Sequence, residues 1–143
     1  MVELKEITKE NFWDVISLKI GKDQNFVASN AVSIAQSKVD SSMIPLAIYN
    51  DHNLVGFLMY GIDLDDNNYW IIRLMVDEKY QRNGYGKMAM EIIIDKIKRD
   101  TSHNKIVIST NPKNIIGLNL YKKLGFKSTG NIVHDEEVLE LKY

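Results

Sequence analysis

Apolar positions alternate in some stretches of this chain and recur every three or four residues in others, and the changes of interval divide it into strands and helices. Val2 to Ile7 alternates loosely between apolar and charged residues and predicts a first strand, closed by Thr8-Lys9-Glu10-Asn11. Phe12, Val15, Ile16 and Ile20 then recur at helical spacing, with Trp13 and Leu18 widening the stripe and Asn11 or Thr8 as N-cap. Gly21-Lys22-Asp23-Gln24-Asn25 breaks that pattern. A second helix is expected from Ser29-Asn30, where Ala31, Ile34, Ala35 and Lys38 share adjoining turns, and Pro45 marks a later boundary. Ile44 to Tyr49 and Leu54 to Gly61 are rich in strand formers and flank the turn-forming run Asn50-Asp51-His52-Asn53, which predicts a hairpin.

The acidic turn Asp63-Leu64-Asp65-Asp66-Asn67-Asn68 leads into Tyr69 to Val76, a strand apolar on both faces and therefore central in its sheet. After a glycine-bearing loop, Tyr85 to Arg99 reads as a long helix, with Met88, Ala89, Ile92, Ile93 and Ile97 apolar and Lys87, Glu91, Asp95 and Lys98 solvated. Lys105 to Ser109 is a short strand, and the right-handed crossover rule places it beside the strand before the loop. Asn114 to Leu124 predicts a last helix, stopped by Gly125. Phe126 to Thr129 and Val138 to Tyr143 complete the strands, the last with Leu139, Leu141 and Tyr143 on one face. The whole predicts an α/β fold: one domain, residues 1–143, with a mixed, mostly antiparallel sheet of about seven strands and about four flanking helices.

Composition narrows the function classes. With 143 residues, 45% hydrophobic and 26% charged, the chain has the makeup of a single soluble globular domain. Its apolar runs fall short of the roughly 20 residues that cross a bilayer, and Met1 to Lys5 lacks a signal-peptide pattern, so a cytoplasmic protein without membrane partners is expected. A formal net charge of −1 supplies no global attraction for nucleic acid. The absence of cysteine excludes disulfides, thiolate metal sites and a cysteine nucleophile. His52, His103 and His134 lie in polar stretches without metal-ligand spacing, so they are expected at the surface and no metal is expected.

Chemistry concentrates between Arg73 and Lys87. Gly84 and Gly86 allow positive φ and close approach of a ligand to the backbone, while the following helix directs free N–H groups and its positive dipole end into the loop. An anion, most often phosphate, suits such a place. Gly84-x-Gly86-x-x-Ala89 also fits a variant of the dinucleotide fingerprint, but that motif follows its strand directly and takes an acid roughly 20 positions on. Here Asp77 to Asn83 intervene, and the next strand ends in Ser109-Thr110 without an acid.

Gln81-x-x-Gly84-x-Gly86, followed by Asn114 and, seven residues later, Tyr121 within Leu120-Tyr121-Lys122-Lys123-Leu124-Gly125-Phe126, resembles the GNAT superfamily of acetyl-CoA-dependent N-acetyltransferases. The resemblance implies acetyl-CoA as co-substrate. Its pantetheine arm would pair with the backbone at Leu74 and Val76. Its pyrophosphate would meet the loop around Arg82, Gly84, Tyr85 and Gly86, with Gln81 or Arg82 adding a side-chain contact and Asn114 completing the cofactor site. Tyr121 is implied as the general acid that protonates the departing thiolate; its alternative is a packed core tyrosine. Some members carry a glutamate base on the strand before the loop, but that position is Trp70 here, and the base stays unassigned between Asp77, Glu78 and a water relay. Gly117 departs from the small residue usual after the Asn and predicts a weakened helix start.

Gln24 to Asn30, Ser33 to Gln36, Ile44 to Tyr49 and Tyr69 to Asp77 further resemble the bacterial spermine/spermidine (diamine) acetyltransferases of that superfamily. The implied acceptor is a polyamine, which calls for carboxylates and aromatic faces; Phe26, Trp70, Asp63, Asp65 and Asp66 are the candidates. Another amine acceptor (a protein N-terminus, a lysine or a drug) and a non-catalytic acyl-CoA-binding regulator are the alternatives. By analogy with small members of the superfamily, a homodimer is a further expectation.

Overall fold

The computed structural model describes residues 1–21 and 28–143. In chain order the elements are β1 (Val2–Glu6), α1 (Phe12–Ile16), α2 (Asn30–Val39), β2 (Met43–Asn50), β3 (Asn53–Ile62), β4 (Tyr69–Val76), α3 (Tyr85–Lys98), β5 (Lys105–Thr110), α4 (Ile115–Lys123), β6 (Lys127–Val133) and β7 (Glu136–Lys142). A seven-stranded sheet runs in the order β1-β2-β3-β4-β5-β7-β6. Among the described residues the chain adopts the expected α/β architecture, with its mixed sheet and four α-helices. Only β4 and β5, among the described residues, pair in parallel, as a strand–helix–strand crossover through α3 requires.

Each face of the sheet carries its own core. On one, Ala89, Met90, Ile93, Ile94 and Ile97 of α3 and Leu118 and Tyr121 of α4 pack on Leu46, Ile48, Leu58, Ile71, Ile106 and Ile108. On the other, Val15 of α1 and Ile34 of α2 cover Ala47, Phe57, Met59 and Met75. The α3 face differs from the sequence expectation in phase. Met90 and Ile94 are buried, whereas Met88 and Ile92 are exposed. Positions 89, 93 and 97 belong to the stripe on either reading, and the sheet covers the flank that carries Met90 and Ile94.

The first helix is shorter than its spacing predicts, ending at Ile16 with Ser17 as C-cap. Trp13 stands in solvent, 72% exposed, while Leu18 and Ile20 reach the core from irregular backbone. Asn11 occupies the N-cap position without a capping bond, because its side chain bridges Thr8 N and Glu6 O instead. At the hairpin the strands extend to Asn50 and Asn53, so the turn tightens to Asp51-His52, with Asp51 at φ 56°. Pro45 lies inside β2, beyond the reach of β1, whose last partner is Leu46.

Candidate active site

The site begins where the two parallel strands part. β4 and β5 are paired at Tyr69–Ile106, Trp70–Val107 and Ile71–Ile108, and the ladder goes no further. Directly after the last pair, β4 carries a bulge: Tyr60 faces Ile71 and Met59 faces Arg73, leaving Ile72 without an opposite residue in β3. A bulge bends and twists its strand. Leu74 and Val76 therefore continue paired to Leu58 and Gly56 of β3, while the side of β4 toward β5 is left as an open edge. Such an edge offers backbone donors and acceptors to an extended amide-bearing chain.

From that edge the chain enters the glycine loop. Gly84 is the N-cap of α3 and takes the left-handed conformation, φ 80°. Gly86 does not; it lies within the first turn of α3, and the second positive φ of the loop belongs to Arg82, at 67°. The N–H groups that open a 14-residue helix have no intrahelical acceptor, so α3 presents donors and its positive dipole end at the loop. Gln81 is a brace: its side-chain amide donates to Val76 O at 3.0 Å, tying the loop to the end of β4. The Tyr85 hydroxyl accepts from Asn50 Nδ2 at 3.0 Å, fixing the start of α3 to the hairpin. Leu74, Val76, Gln81, Arg82, Gly84, Tyr85, Gly86 and Asn114 all line one groove of about 560 Å³, together with Ile20, Gly117 and Tyr121.

Asn114 organises the opposite wall. As N-cap of α4 it accepts from Gly117 N at 3.1 Å and donates to Thr110 Oγ1 at 2.9 Å, which locks the helix start to the end of β5. Gly117 is required by this arrangement: a Cβ there would lie 2.5 Å from Asn114 Nδ2. The expectation that Gly117 merely weakens the helix gives way to a close-approach role. Gly117→Ala should displace the Asn114 amide and lose the cap, about 0.5–2 kcal/mol, offset by the roughly 1 kcal/mol that alanine gains over glycine in a helix. A net loss of no more than about 1 kcal/mol is expected, measurable as a shift of the denaturation midpoint.

Tyr121, one α4 turn farther along, is 7% exposed and packs edge to face on Phe126. Burial, and after it the negative charge of Glu136, push its phenol up to about 12. A raised phenol remains protonated as pH rises through its ordinary value near 10, so a rate that needs the Tyr121 proton holds until about pH 11. A pH–rate profile with an alkaline midpoint near 10 would contradict this.

A second cavity, about 620 Å³, opens from the parting strands toward α2 and the acidic turn. It shares Leu74, Asn114 and Tyr121 with the groove, and its other walls include Trp70, Ile72, Arg73, Asp40, Asp63, Asp65, Ser109 and Glu136. Trp70 is held by a bond from Nε1 to Asp66 Oδ2 at 2.9 Å, so Asp66 orients the indole and does not itself line the cavity. Asp63 accepts from Asp65 N at 2.7 Å. Asp40 accepts from the hydroxyl and N–H of Ser42, which hold its carboxyl below the usual range. Phe26 lies outside the described residues.

Sequence reasoning missed Glu136, Arg73, Ser109 and Asp40 as cavity residues. Glu136 opens β7 and its Oε1 accepts from Ser109 Oγ at 2.9 Å. Arg73 donates to Ile72 O at 2.9 Å and to Gln36 Oε1 at 3.1 Å. Burial lowers the guanidinium and the charge of Glu136 opposes that shift. The one signal available in the sequence was a charged residue, Arg73, inside a strand apolar on both sides of it.

The sequence pattern of the acetyltransferase (GNAT) family matches residues 12–126. The chain belongs to this family. It is an N-acetyltransferase, 28% identical over 99% of its length to the spermine/spermidine N(1)-acetyltransferase of Bacillus subtilis (strain 168), of which it covers 97%. Among solved structures, a PaiA N-acetyltransferase from Thermoplasma acidophilum in complex with coenzyme A superposes with a TM-score of 0.74 at 18% identity, covering 100% of this chain and 99% of that one. A domain from Methanocaldococcus jannaschii superposes with a TM-score of 0.80 at 14% identity, with the same coverage. These likenesses are ones of fold.

Two further expectations about the acetyltransferase need correction. Asp77, one of the candidates for the base, is not placed to serve as one. It is buried, accepts from Lys19 N at 2.9 Å and Lys79 N at 3.0 Å, and lines neither cavity, so its carboxylate is spent on the loop. Glu78 is exposed and also lines neither. His103 is not a free surface residue: it packs edge to face on Tyr69 at 5.0 Å, and its Nδ1 lies 3.1 Å from Asp100 Oδ2. His52 and His134 are exposed. Among the described residues no helix is long and apolar enough to cross a membrane, and no group of His, Cys, Asp and Glu side chains forms a metal site.

Proposed function

We propose that this N-acetyltransferase moves an acetyl group from acetyl-CoA directly to a primary amine of a polyamine, spermidine or spermine, within a ternary complex. The observation that carries the reading is the meeting of two cavities at Leu74, Asn114 and Tyr121, one beside the glycine loop and the open edge of β4, the other walled by Trp70, Asp63 and Asp65. The N–H groups at Gly84, Tyr85 and Gly86 would hold the pyrophosphate, and the β4 edge at Leu74 and Val76 would hold the pantetheine amides. A thioester seated this way ends beside Tyr121, whose protonated phenol is suited to give its proton to the sulfur as the C–S bond breaks.

For the acceptor, similarity over nearly the full length to the B. subtilis spermine/spermidine enzyme supports a polyamine, as do the carboxylates and the indole in the second cavity. Arg73 on the same wall favours one other acceptor, an amine whose molecule also carries a carboxylate, such as an amino acid. Calorimetric titration should give one acetyl-CoA bound per chain and no heat with NADH. Initial rates with acetyl-CoA and spermidine both varied should give intersecting reciprocal plots; parallel lines, or no turnover, would contradict direct transfer to this amine.

A further inference from the structure

An acetyltransferase with Trp70 where an acid would be convenient still has to discharge an ammonium ion before nitrogen can attack. The carboxylates of the second cavity differ in what occupies them. Asp40, just after α2, takes two bonds from Ser42, and Asp63, in the turn between β3 and β4, takes the Asp65 N–H. Asp65 accepts no side-chain bond among the described residues but stands exposed on that turn. Glu136 instead sits on the far strand pair. Ser109 pairs with Val138 and Thr110 with Glu137, so Glu136 lies just past the end of the β5–β7 ladder, across the opening from β4. One of its oxygens is fixed by Ser109, and among the described residues this is its single side-chain bond. It lines the cavity that Tyr121 also lines, and of the carboxylates there it is the one whose charge acts on the Tyr121 phenol.

We propose that Glu136 receives the acceptor's ammonium group at the junction of the two cavities and takes its proton, with Ser109 positioning the carboxylate. The inference rests on the acetyl-transfer reading and supplies the base that reading lacks. In the step, R–NH3⁺ gives one proton to Glu136 and becomes R–NH2. Nitrogen attacks the thioester carbonyl, the C–N bond forms and the C–S bond breaks. The thiolate leaves with the Tyr121 proton, and the second proton of the attacking nitrogen restores the phenol. Glu136 returns its proton to water, so the products are the acetamide, the free thiol and one proton. Arg73 lines the same cavity and interacts with the charge of Glu136, while Asp40, Asp63 and Asp65 on its other walls suit the remaining cationic amines of a polyamine.

The test uses the full chain with acetyl-CoA and spermidine. Glu136→Gln keeps an oxygen for Ser109 while removing charge and basicity. It is expected to lower kcat/KM for the amine by about 100-fold or more and to abolish the acidic limb of the pH–rate profile, with acetyl-CoA affinity by calorimetry unchanged. Glu136→Asp should recover part of the rate with the acidic limb restored, and Ser109→Ala should lose about tenfold with that limb displaced. A Glu136→Gln enzyme with the rate and pH profile of the wild type would overturn the assignment of the base alone. A wild-type enzyme that binds acetyl-CoA but acetylates no amine would overturn the acetyl-transfer reading and this inference together.

Discussion

Tyr121→Phe should lower kcat by about 100-fold or more while leaving the affinity for acetyl-CoA within about twofold of the wild type. The replacement is close to isosteric. The ring keeps its edge-to-face contact with Phe126 and its place among Leu118 and Ile108, so the fold loses no packing. What disappears is the one protonated group that faces the junction of the two cavities from α4. Without it the thiolate has to leave unprotonated or draw a proton from water, a route that general acids typically outpace by two to four orders of magnitude, or ~10²–10⁴. The thermal midpoint should stay within a few degrees of the wild type, since surface and core contacts are unchanged. Full activity in this variant would remove Tyr121 from the chemistry and make it a packing residue.

Gly84→Glu should raise the dissociation constant for acetyl-CoA by about tenfold to 100-fold with a much smaller effect on kcat at saturation. Two causes act together. Gly84 holds φ 80°, where any side chain costs about 1–2 kcal/mol, so the loop is expected to relax and turn its N–H groups away from their common focus. The new carboxylate also stands at the helix end that favours anions, in competition with a bound pyrophosphate. Gly84→Ala separates the two: its Cβ finds room, with Met88 Cε the nearest neighbour at 3.8 Å, so its loss of affinity measures the backbone alone. Equal affinity for acetyl-CoA in all three proteins would contradict the placement of the pyrophosphate.

The fold was largely legible in the chain because its strands and helices differ sharply in hydrophobic interval, and because Asn50 to Asn53 and Gly125 carry turn chemistry of their own. Boundaries set by tertiary contact were less so. Nothing in Phe12 to Ile20 announces that regular helix stops at Ile16, since the remaining apolar residues are used from irregular backbone. The loop was readable as an anion site from its glycines, but its working geometry was not: Arg82 rather than Gly86 takes positive φ, and Gln81 bonds to Val76. Spacing alone makes Gly117 a weak point of the helix, whereas in the fold the Asn114 side chain lies over it. The second cavity was least legible. Arg73, Ser109 and Glu136 come from three strands brought together by the parting of β4 and β5, a contact that no spacing along the chain encodes.

The central claim, that an amine cavity and a CoA groove share one reaction point at Tyr121, is tested most directly by following free thiol release from acetyl-CoA over a panel of acceptors. The panel holds spermidine, spermine, short diamines, an α-amino acid and a lysine-containing peptide, with the products weighed by mass spectrometry. Rapid release with spermidine and spermine, matched mole for mole by polyamine one acetyl group heavier, is the expected result; inert polyamines beside turnover of the amino acid or peptide would contradict it.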